Sequence, residues 1–530
     1  ELFVSDVKGK FIKQIDINNT ERVKEVAWLE DNKTLLYTRT NKGYANIFSI
    51  AADGSQAEKQ HTNEARNNQN LSLNEKRTQA VYISGRDQLR TLDLTNFKST
   101  VLVKDEFWAL YAPQPYFSSD GTHVLFSAYR NFEHDVFTIR LSDKKITNLT
   151  DTGVNETDPV WSPDGKYVYY ASNLTKPSYP YGMREGHIYQ MALNKYDDPF
   201  VAEEFDKLFE EKSEDKDEKD SKKKKDKSED EKEKPKLSIT QEGLMERTEQ
   251  ISPSFGLQIG LHVLKKDKTN HILYLSNHDE GEFKLWKTTI SPFEENKTEK
   301  VLDKVIRSYQ IASADESDYI LVNGDIHTLN IKNNSVEKIK LNHTFRRNLS
   351  DEFEQMFYEA WAGFGENFYD ENFHGEDWSA LKKKYEKYLS KISKRSQLRL
   401  LFNDMLGELN TSHFGFRSSG QEENTFYETR TMATGIQFSN EDPFVVKRII
   451  KDGPLDVKGK NIRIGDRLIA VNGKKVDNKM NREIYFVQPS LDKELTLTFD
   501  RNGTTNDVRL HSLSSNRMRG LLYDEWIVFL

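Results

Sequence analysis

The pair Ser412–His413 is the part of this sequence whose residue types and position could do chemistry. It follows a helical apolar pattern and precedes an apolar run, so the His413 imidazole would be displayed at a junction and not within a packed face. An unperturbed imidazole titrates near neutral pH and can act as a general base. The Ser412 hydroxyl could orient the ring or donate to a developing charge. A lone histidine after a helix is often a structural residue, so both interpretations stay open at this point.

The other chemistry-bearing residue types narrow the functional class. The 530 residues contain no cysteine, which excludes disulfides, a thiol nucleophile and cysteine-ligated metal sites. No H-x-x-x-H spacing, calcium-binding loop or phosphate-binding glycine-rich loop occurs, so we expect no cofactor and no metal. The 77 basic and 85 acidic side chains argue against a nucleic-acid partner. No run of about 18 apolar residues occurs, so no membrane span is expected.

A helical segment over residues 342–430 is predicted to position His413. Apolar residues recur there every three or four positions in three stretches, which is the period of an amphipathic helix. Ser350 is the expected N-cap of the first helix, and the second helix is predicted over residues 378–389. The third helix ends at the polar sequence N-T-S-H, after which residues 414–416 have the pattern of a short strand.

Residues 1–341 contain short alternating apolar runs separated by turn residues, which is an all-β pattern. One strand recurs about every 44 residues, with matching positions at Tyr37, Tyr82, Phe126 and Tyr170. A period of roughly 40–45 residues with four strand-sized segments per repeat is typical of propeller blades. Six complete repeats and half of another, which begins at Leu2, predict a mainly β, multidomain chain with a seven-bladed β-propeller whose first blade is incomplete.

One break in this period, between Tyr170 and Tyr274, contains a charged insertion at about 203–248. Its centre, from 211 to 236, consists almost entirely of charged residues and serine. Such a segment cannot bury enough apolar surface to offset chain entropy, so we expect disorder. The lysine cluster at 222–225 could be read as a nucleic-acid patch, but acidic residues flank it on both sides and favour a solvated loop.

Residues 431–513 are β-rich with a distinctive order of elements. A strand and a Gly-Pro loop precede the sequence G-D-R-L-I-A-V-N-G at 465–473, and together they resemble a PDZ domain. The resemblance implies a glycine turn whose N–H groups converge on a peptide's terminal carboxylate, followed by a strand that pairs with the peptide. The residues expected to form this turn and strand are Thr434, Gly435, Ile436, Gln437 and Phe438. A groove filled by the domain itself is the alternative.

The order of a propeller, a helical segment ending in E-L-N-T-S-H and a PDZ domain resembles the tricorn proteases, which are serine peptidases of the C-terminal-processing-peptidase group. The resemblance implies that residues 342–430 are the first part of a split catalytic domain and that residues 514–530 begin its second part. It implies that His413 is the general base of a peptidase that degrades oligopeptides or unfolded polypeptides, with Ser412 as a helper. The propeller would gate substrate access, and the PDZ domain would position the substrate.

The nucleophilic serine that the resemblance implies is expected outside this chain. No G-x-S-x-G elbow occurs within the 530 residues. A base without a nucleophile does not cleave peptide bonds, so we expect this chain alone to be inactive. The resemblance also implies a homo-hexamer and a cytoplasmic location, with a periplasmic or secreted location as the alternative. The alternative function is a non-catalytic propeller–PDZ adaptor that binds protein C-termini.

Overall fold

A computed structural model describes most of the chain and divides it into two compact units, Glu1–Phe416 and Arg417–Leu530. The described residues are 2–15, 22–107, 114–130, 133–177, 183–195, 236–266, 269–291, 294–314, 317–344, 347–424, 429–489 and 494–529. Residues 196–235, which include most of the predicted charged insertion, lie outside this description.

The described strands of the first unit form one two-stranded and six four-stranded antiparallel sheets, which confirms the seven-bladed propeller with an incomplete first blade. Within each complete blade the strands are neighbours in chain order, as in a β-meander. Blade 1 contains β1 (Leu2–Ser5) and β2 (Ile12–Ile15). Blade 2 contains β3 (Val23–Trp28), β4 (Thr34–Asn41), β5 (Tyr44–Ala51) and β6 (Lys59–Gln60). Blade 3 contains β7 (Asn68–Leu73), β8 (Gln79–Ser84), β9 (Gln88–Asp93) and β10 (Ser99–Lys104).

The four remaining blades follow the same plan. Blade 4 contains β11 (Tyr116–Phe117), β12 (His123–Arg130), β13 (Glu133–Arg140) and β14 (Ile146–Asn148). Blade 5 contains β15 (Glu156–Trp161), β16 (Tyr167–Ser172), β17 (His187–Ala192) and β18 (Thr248–Gln250). Blade 6 contains β19 (Gln258–Lys266), β20 (Thr269–Ser276), β21 (Lys284–Ile290) and β22 (Lys297–Leu302). Blade 7 contains β23 (Tyr309–Ala314), β24 (Ser317–Val322), β25 (Asp325–Asn330) and β26 (Ser335–Lys338).

The recurring strand of the sequence is the second strand of each complete blade, and in blades 2 to 6 it is buried on both faces. In blade 7 it alternates between buried and half-buried residues. In β4, Tyr37 packs into one apolar cluster with Leu2 of blade 1. Its neighbour Leu36 points the other way and packs with Leu71 and Tyr82 of blade 3. Alternate residues of a strand face opposite sides, so a strand covered by two neighbouring blades needs apolar residues at successive positions. This double coverage explains why the recurring motif is a continuous apolar run.

The predicted disorder over about 203–248 does not extend to residues 236–248, which belong to the propeller. The Leu237 N–H group donates to the Asp120 carboxylate at 2.7 Å. The buried Arg247 guanidinium donates to the carbonyl oxygen of Ala192 at 3.0 Å, and β18 follows directly. Leu244 is buried in the apolar cluster between blades 4 and 5. Residues 236–248 therefore contribute apolar burial to the propeller.

Within residues 347–424, which the structure describes without a gap, three α-helices follow the propeller: α1 (Leu349–Asn367), α2 (Trp378–Glu386) and α3 (Arg395–Gly407). Short 3₁₀ turns at Phe373–Gly375 and Leu389–Lys391 separate them, so the second predicted helix is interrupted before its end. Asn348, and not Ser350, caps α1, because its side chain accepts the Ser350 N–H at 3.1 Å. Residues 414–416 pair with no described strand, so the short strand predicted there is absent from the described part of the chain.

The second unit contains the PDZ fold and a final helix. Two pairs of strands are β27 (Thr429–Thr431) with β32 (Val487–Pro489), and β28 (Ile436–Phe438) with β29 (Val446–Ile449). A four-stranded sheet contains β31 (Lys474–Lys475), β30 (Arg467–Val471), β33 (Glu494–Arg501) and β34 (Thr504–His511) in that spatial order. A 3₁₀ helix spans Arg482–Phe486, and α4 spans Ser515–Phe529. None of the helices in the described ranges is long and apolar enough to cross a membrane.

Candidate active site

Helix α3 delivers the Ser412–His413 pair to the end of the helical segment. The helix ends at Gly407, and the chain continues in a tighter turn in which the Leu409 N–H donates to the carbonyl oxygen of Leu406 at 3.2 Å. The Leu409 side chain is fully buried in the helical core. It is the last buried residue before the pair, so the turn leaves the core immediately ahead of His413.

Both predicted catalytic side chains are exposed and adjacent. His413 has a φ of 66°, and Asn410, three residues earlier, has a φ of 49°. This left-handed region is uncommon for residues other than glycine and persists where surrounding contacts hold it. Among the described residues, no side chain lies within hydrogen-bond distance of the His413 ring, and no hydrogen bond joins the ring to Ser412. The imidazole is therefore accessible to a reacting group, whereas the helper role of Ser412 stays a prediction.

Contacts just after His413 fix the chain that leaves the turn. The Phe414 ring lies 5.3 Å from the ring of Phe364 and 5.7 Å from that of Phe368, near the end of α1. The Phe416 N–H donates to the side-chain oxygen of Asn403 in α3 at 3.0 Å. The residues that follow His413 are thus attached to two different helices.

A carboxylate at the start of the turn links α2 to the end of α3. Glu408 accepts a hydrogen bond from the Tyr385 hydroxyl at 2.6 Å and pairs with the Lys384 ammonium at 2.5 Å. The Lys384 ammonium and the Tyr385 hydroxyl lower the pKa of Glu408. Burial, together with this carboxylate, raises the pKa of Tyr385. Glu408 therefore remains a charged acceptor at neutral pH and holds the beginning of the turn.

Sequence reasoning missed His374, whose imidazole contacts the same turn. Its Nδ1 atom lies 2.9 Å from the carbonyl oxygen of Leu409. The side chain belongs to the loop between α1 and α2, 35 residues earlier in the chain. A histidine between two predicted helices, beside Gly375, was a weak signal, because only the tertiary fold brings this loop to the end of α3.

The propeller holds α1 through two carboxylates. Glu366 accepts hydrogen bonds from the backbone N–H and the side-chain amide of Asn67, at 2.7 and 2.6 Å. Glu359 accepts one from the Thr40 hydroxyl at 3.1 Å. Burial raises the pKa of Glu366, while its bonds to Asn67 act in the opposite direction. The helix that supports the His413 turn is therefore docked on blades 2 and 3.

A glycine allows α1 to approach blade 2 closely. Gly43 lies in the hairpin between β4 and β5 with a φ of 93°. A Cβ atom at this position would lie 2.2 Å from the carbonyl oxygen of Tyr358 in α1. No side chain fits at that distance, so the closeness of helix and blade depends on this glycine.

In the second unit, the predicted peptide-binding residues form a turn followed by a strand. Gly435 has a φ of 77°, and a Cβ atom there would lie 2.8 Å from the Pro454 ring. Thr434 is buried, and its hydroxyl accepts the Ile436 N–H at 3.3 Å. The Ile450 N–H donates to the carbonyl oxygen of Gly435 at 2.9 Å. The glycine turn is thus fixed in place by its neighbours.

The strand after this turn is paired along one edge and packed at its end. In β28, Ile436 lies opposite Ile449, and Gln437 lies opposite Arg448 of β29. Phe438 packs on Phe486 with ring centroids 6.5 Å apart, and the Arg482 guanidinium lies 4.2 Å from the centre of the Phe438 ring. Part of the surface beside β28 is therefore filled by the domain's own side chains.

Metal ligands would be a further kind of site. Within the described stretches, no group of three or more His, Asp and Glu side chains is placed to hold a metal ion. The chemistry that this part of the chain presents is therefore that of the exposed imidazole and of the PDZ turn.

Two domain families match the chain in the regions just described. Residues 349–407 match the family described as the tricorn protease C1 domain, which covers α1, α2 and α3. Residues 433–511 match the PDZ domain family. The first match ends just before the turn that carries His413.

A curated relative and a solved structure are similar to longer parts of the chain. A tricorn-like protease C-terminal subunit of Sulfurisphaera tokodaii (strain DSM 16993 / JCM 10545 / NBRC 100140 / 7) is 28% identical over 194 residues, which are 33% of this chain and 21% of that protein. The crystal structure of the tricorn protease superposes with a TM-score of 0.59 at 14% identity, over 98% of this chain and 51% of that one. At this identity the superposition shows a shared fold. The chain thus spans about a fifth of the curated relative and half of the solved structure.

The fold class predicted from the sequence is confirmed. The propeller, the helical segment and the PDZ domain follow one another as the resemblance implied. A region matching the tricorn protease C1 domain and a PDZ domain thus occur in one chain, whose fold is similar to that of the tricorn protease along nearly its whole length.

Proposed function

We propose that this chain supplies the general base of a serine peptidase that degrades oligopeptides, with His413 as that base. The observation that carries the proposal is the exposed imidazole of His413 on a turn whose two ends are fixed by the helical segment. A base must be accessible to the proton it accepts and must be held in one place. The His413 turn meets both conditions.

The chemistry follows the general scheme of serine hydrolysis. The neutral His413 imidazole accepts the proton of a serine hydroxyl while the serine oxygen attacks the peptide carbonyl carbon. The same proton is then donated to the leaving amine, and water hydrolyses the acyl-enzyme by the reverse proton path. Ser412 directly precedes His413 in the chain, and its hydroxyl is proposed to donate to the charge that develops.

The nucleophilic serine of this scheme comes from a segment outside residues 1–530. No G-x-S-x-G elbow occurs in the sequence, and nucleophile, base and oxyanion donors must lie within hydrogen-bond reach of one another. The 530-residue chain alone is therefore expected to leave peptides uncleaved. Self-association into a hexamer is part of the same proposal, and sedimentation velocity measures it directly.

The propeller is proposed to admit unfolded polypeptide and exclude folded proteins. The first strands of neighbouring blades are linked at two places: Glu25 accepts the Asn70 N–H at 2.8 Å, and Asp158 accepts the Gly260 N–H at 3.0 Å. These bonds join the first strands of blades 2 and 3 and of blades 5 and 6. Links of this kind between blades support the proposal, because a size filter requires a channel of constant width.

A folded disulfide-stapled miniprotein and its reduced, unfolded form provide the test of gating. Both contain the same cleavable sequence, so only the width of the substrate differs between them. In the gene product that contains residues 1–530, the reduced form should be cleaved and the folded form should not. A Gly260→Trp substitution on β19 should slow the cleavage of the unfolded form, and unchanged turnover in this variant would remove the gating role.

The PDZ turn is proposed to hold the carboxylate of a polypeptide and so to position substrate. The observation behind this role is the positive φ of Gly435, a turn conformation that is compatible with N–H groups converging on a carboxylate. The same observation favours the second candidate function, a non-catalytic propeller–PDZ adaptor that binds protein C-termini. The two functions differ in whether His413 is needed for peptide cleavage.

Peptide hydrolysis by the gene product that contains residues 1–530 separates these functions. His413→Ala should lower kcat by at least about 10³-fold, because the loss of the base removes proton transfer. The matched control is His511→Ala, an exposed histidine of the PDZ domain outside the peptide-binding turn, which should leave kcat unchanged. Hydrolysis that persists in His413→Ala, or an absence of hydrolysis alongside binding of C-terminal peptides, would favour the adaptor.

A further inference from the structure

The loop between α1 and α2 carries a second histidine that touches the His413 turn. We propose that His374 is a positioning residue, which fixes the His413 imidazole through a hydrogen bond to the carbonyl oxygen of Leu409. The proposal rests on the proposed function, because a positioning role matters only if His413 accepts a proton.

Both ring nitrogens of His374 have partners. The Nδ1 atom lies 2.9 Å from the Leu409 carbonyl oxygen, and a carbonyl oxygen can only accept, so Nδ1 carries the hydrogen and donates. The Nε2 atom lies 2.6 Å from the Tyr369 hydroxyl, which donates to it when the ring is neutral. The two bonds together set both the tautomer and the orientation of the ring.

The loop that carries His374 is held by its own contacts. The Asp370 carboxylate accepts the N–H groups of Asn372 at 3.0 Å and of His374 at 2.8 Å, and these two bonds lower the pKa of Asp370. The ring of Phe373 stacks on Trp378 at 5.3 Å with an angle of 4° between the planes. The loop is therefore ordered independently of the turn it touches.

The bond to Leu409 falls at a point where the turn has no helical partner. Within a helix, each carbonyl oxygen accepts a hydrogen bond from the N–H group four residues later. The carbonyl groups at the end of a helix have no such donor. His374 supplies a donor to the carbonyl of Leu409, which lies just four residues before His413. On the other side, Phe414 contacts Phe368, and the His374 ring meets the same Phe368 edge-on at 5.6 Å. The His413 turn is thus held from before and after by one loop.

For the reaction, the consequence is that the His413 imidazole is held precisely in one position. A misplacement of a reacting group by about 1 Å costs on the order of 10²-fold in rate. If the His374 donor is lost, the Leu409 carbonyl turns toward water, and the three residues between it and His413 gain freedom. We therefore expect kcat to fall while KM for a short peptide stays the same, because no atom of His374 is proposed to touch the substrate.

Two substitutions of His374 distinguish the effect of losing the hydrogen-bond donor from the effect of the unusual backbone conformation. His374 has a φ of 55°, which glycine and asparagine both tolerate. His374→Gly removes the donor, whereas His374→Asn places an amide N–H near the former Nδ1 atom. In the gene product that contains residues 1–530, kcat should fall about 10- to 100-fold in the glycine variant and recover to within about threefold in the asparagine variant. Equal losses in both variants, or no loss in either, would overturn the positioning role.

An NMR measurement on the 530-residue chain tests the positioning role of His374 without any measurement of activity. Ring resonances of ¹³C-labelled histidines, assigned for His413 by its loss in His413→Gln, should be sharp in the wild type and in His374→Asn. They should broaden or split in His374→Gly, since the turn then samples several conformations. An unchanged His413 resonance in His374→Gly contradicts the inference, while full hydrolysis by His413→Ala contradicts the proposed function alone.

Discussion

The propeller and the helical segment with His413 satisfy their polar groups in different ways. The propeller repeats one arrangement where a blade ends: the hydroxyls of Thr62 and Thr150, which follow the fourth strands of blades 2 and 4, accept the N–H groups of Ile47 and Val136 in the third strands at 2.8 and 3.0 Å. Ser252 does the same for Ile188 in blade 5. The helical segment instead uses contacts that occur once, such as the bond from His374 to the turn. A repeated contact stabilises the frame, whereas a single contact can place one particular side chain.

A comparison of equivalent positions between blades shows which polar side chains the propeller can bury there. Between blades 2 and 3, Asn68 donates its amide to Asn46 at 3.2 Å. At the equivalent place between blades 4 and 5 stand two carboxyl groups, those of Asp135 and Glu156. Glu156 is 1% exposed, and its Oε2 atom has no hydrogen-bond partner among the described residues. The frame therefore keeps its geometry with a pair of acids in place of a pair of amides, but its stability becomes dependent on pH.

The largest effect is expected from the core of the helical segment. Leu398 is fully buried in α3, whereas Leu400, two residues later, is 62% exposed. Leu398→Ala should lower the free energy of unfolding by about 2–5 kcal/mol through lost burial and a cavity. Leu400→Ala is the matched control and should change it by less than about 0.5 kcal/mol. Urea unfolding followed by circular dichroism measures both, and equal effects would show that the helical segment has no specific core.

The carboxyl pair between blades should make the propeller less stable at high pH. Burial raises the pKa of Glu156 from 4.5 to about 7. The folded protein then keeps a proton that the unfolded chain releases, so stability falls as the pH rises from about 4.5 to about 7. At about 1.4 kcal/mol per pH unit, the loss attributable to Glu156 is on the order of 3 kcal/mol.

Two substitutions test this pH dependence from opposite directions. Glu156→Gln cannot release a proton, so the variant should be more stable than the wild type at pH 8 and similar to it at pH 4. Asn68→Asp introduces an acid at the equivalent place and should destabilise the protein at pH 8 more than at pH 4. Thermal unfolding at the two pH values provides the comparison, and an identical pH profile for wild type and Glu156→Gln would contradict the assignment.

A smaller effect on stability is expected where helix α1 contacts blade 2 of the propeller. Gly43→Ala places a Cβ against the Tyr358 carbonyl and should cost about 2 kcal/mol or displace α1 from blade 2. The control is Gly121→Ala, which also has a positive φ, of 70°, but nothing within 4 Å of its Cβ position. This control reports backbone strain alone. Hydrogen exchange of α1 should accelerate in Gly43→Ala only, and equal exchange in both variants would mean that the close approach is unimportant.

The smallest effect concerns the start of α1. Asn348→Ala removes the side-chain acceptor of the Ser350 N–H and should cost about 1 kcal/mol. Ser350→Ala should cost less than about 0.5 kcal/mol, because this residue lies within the first turn and does not cap it. Thermal unfolding distinguishes the two variants. A larger loss of stability in Ser350→Ala would show that Ser350 is the N-cap, as the sequence pattern predicts.

Most of the propeller could be predicted because each blade repeats the same local pattern. The run ending at Tyr37 returns in every complete blade, so a single interpretation was supported six times. The end of the charged insertion was harder to place, because Leu237 and Leu244 become core residues only when blades 4 and 5 stand beside them. Composition describes a segment by itself and carries no information about which surface will cover it.

For the candidate site, the sequence determined the residue types and their order. The polar turn after an amphipathic helix marked His413, and the glycine of the T-G-I-Q-F turn marked the PDZ domain, because helical period and turn chemistry are local properties of the chain. Only the tertiary structure decided that the His413 ring is exposed and that His374 reaches the carbonyl oxygen of Leu409. A hydrogen bond between residues 35 positions apart depends on how two helices pack, and that packing is settled by the whole apolar core and by no single stretch of sequence.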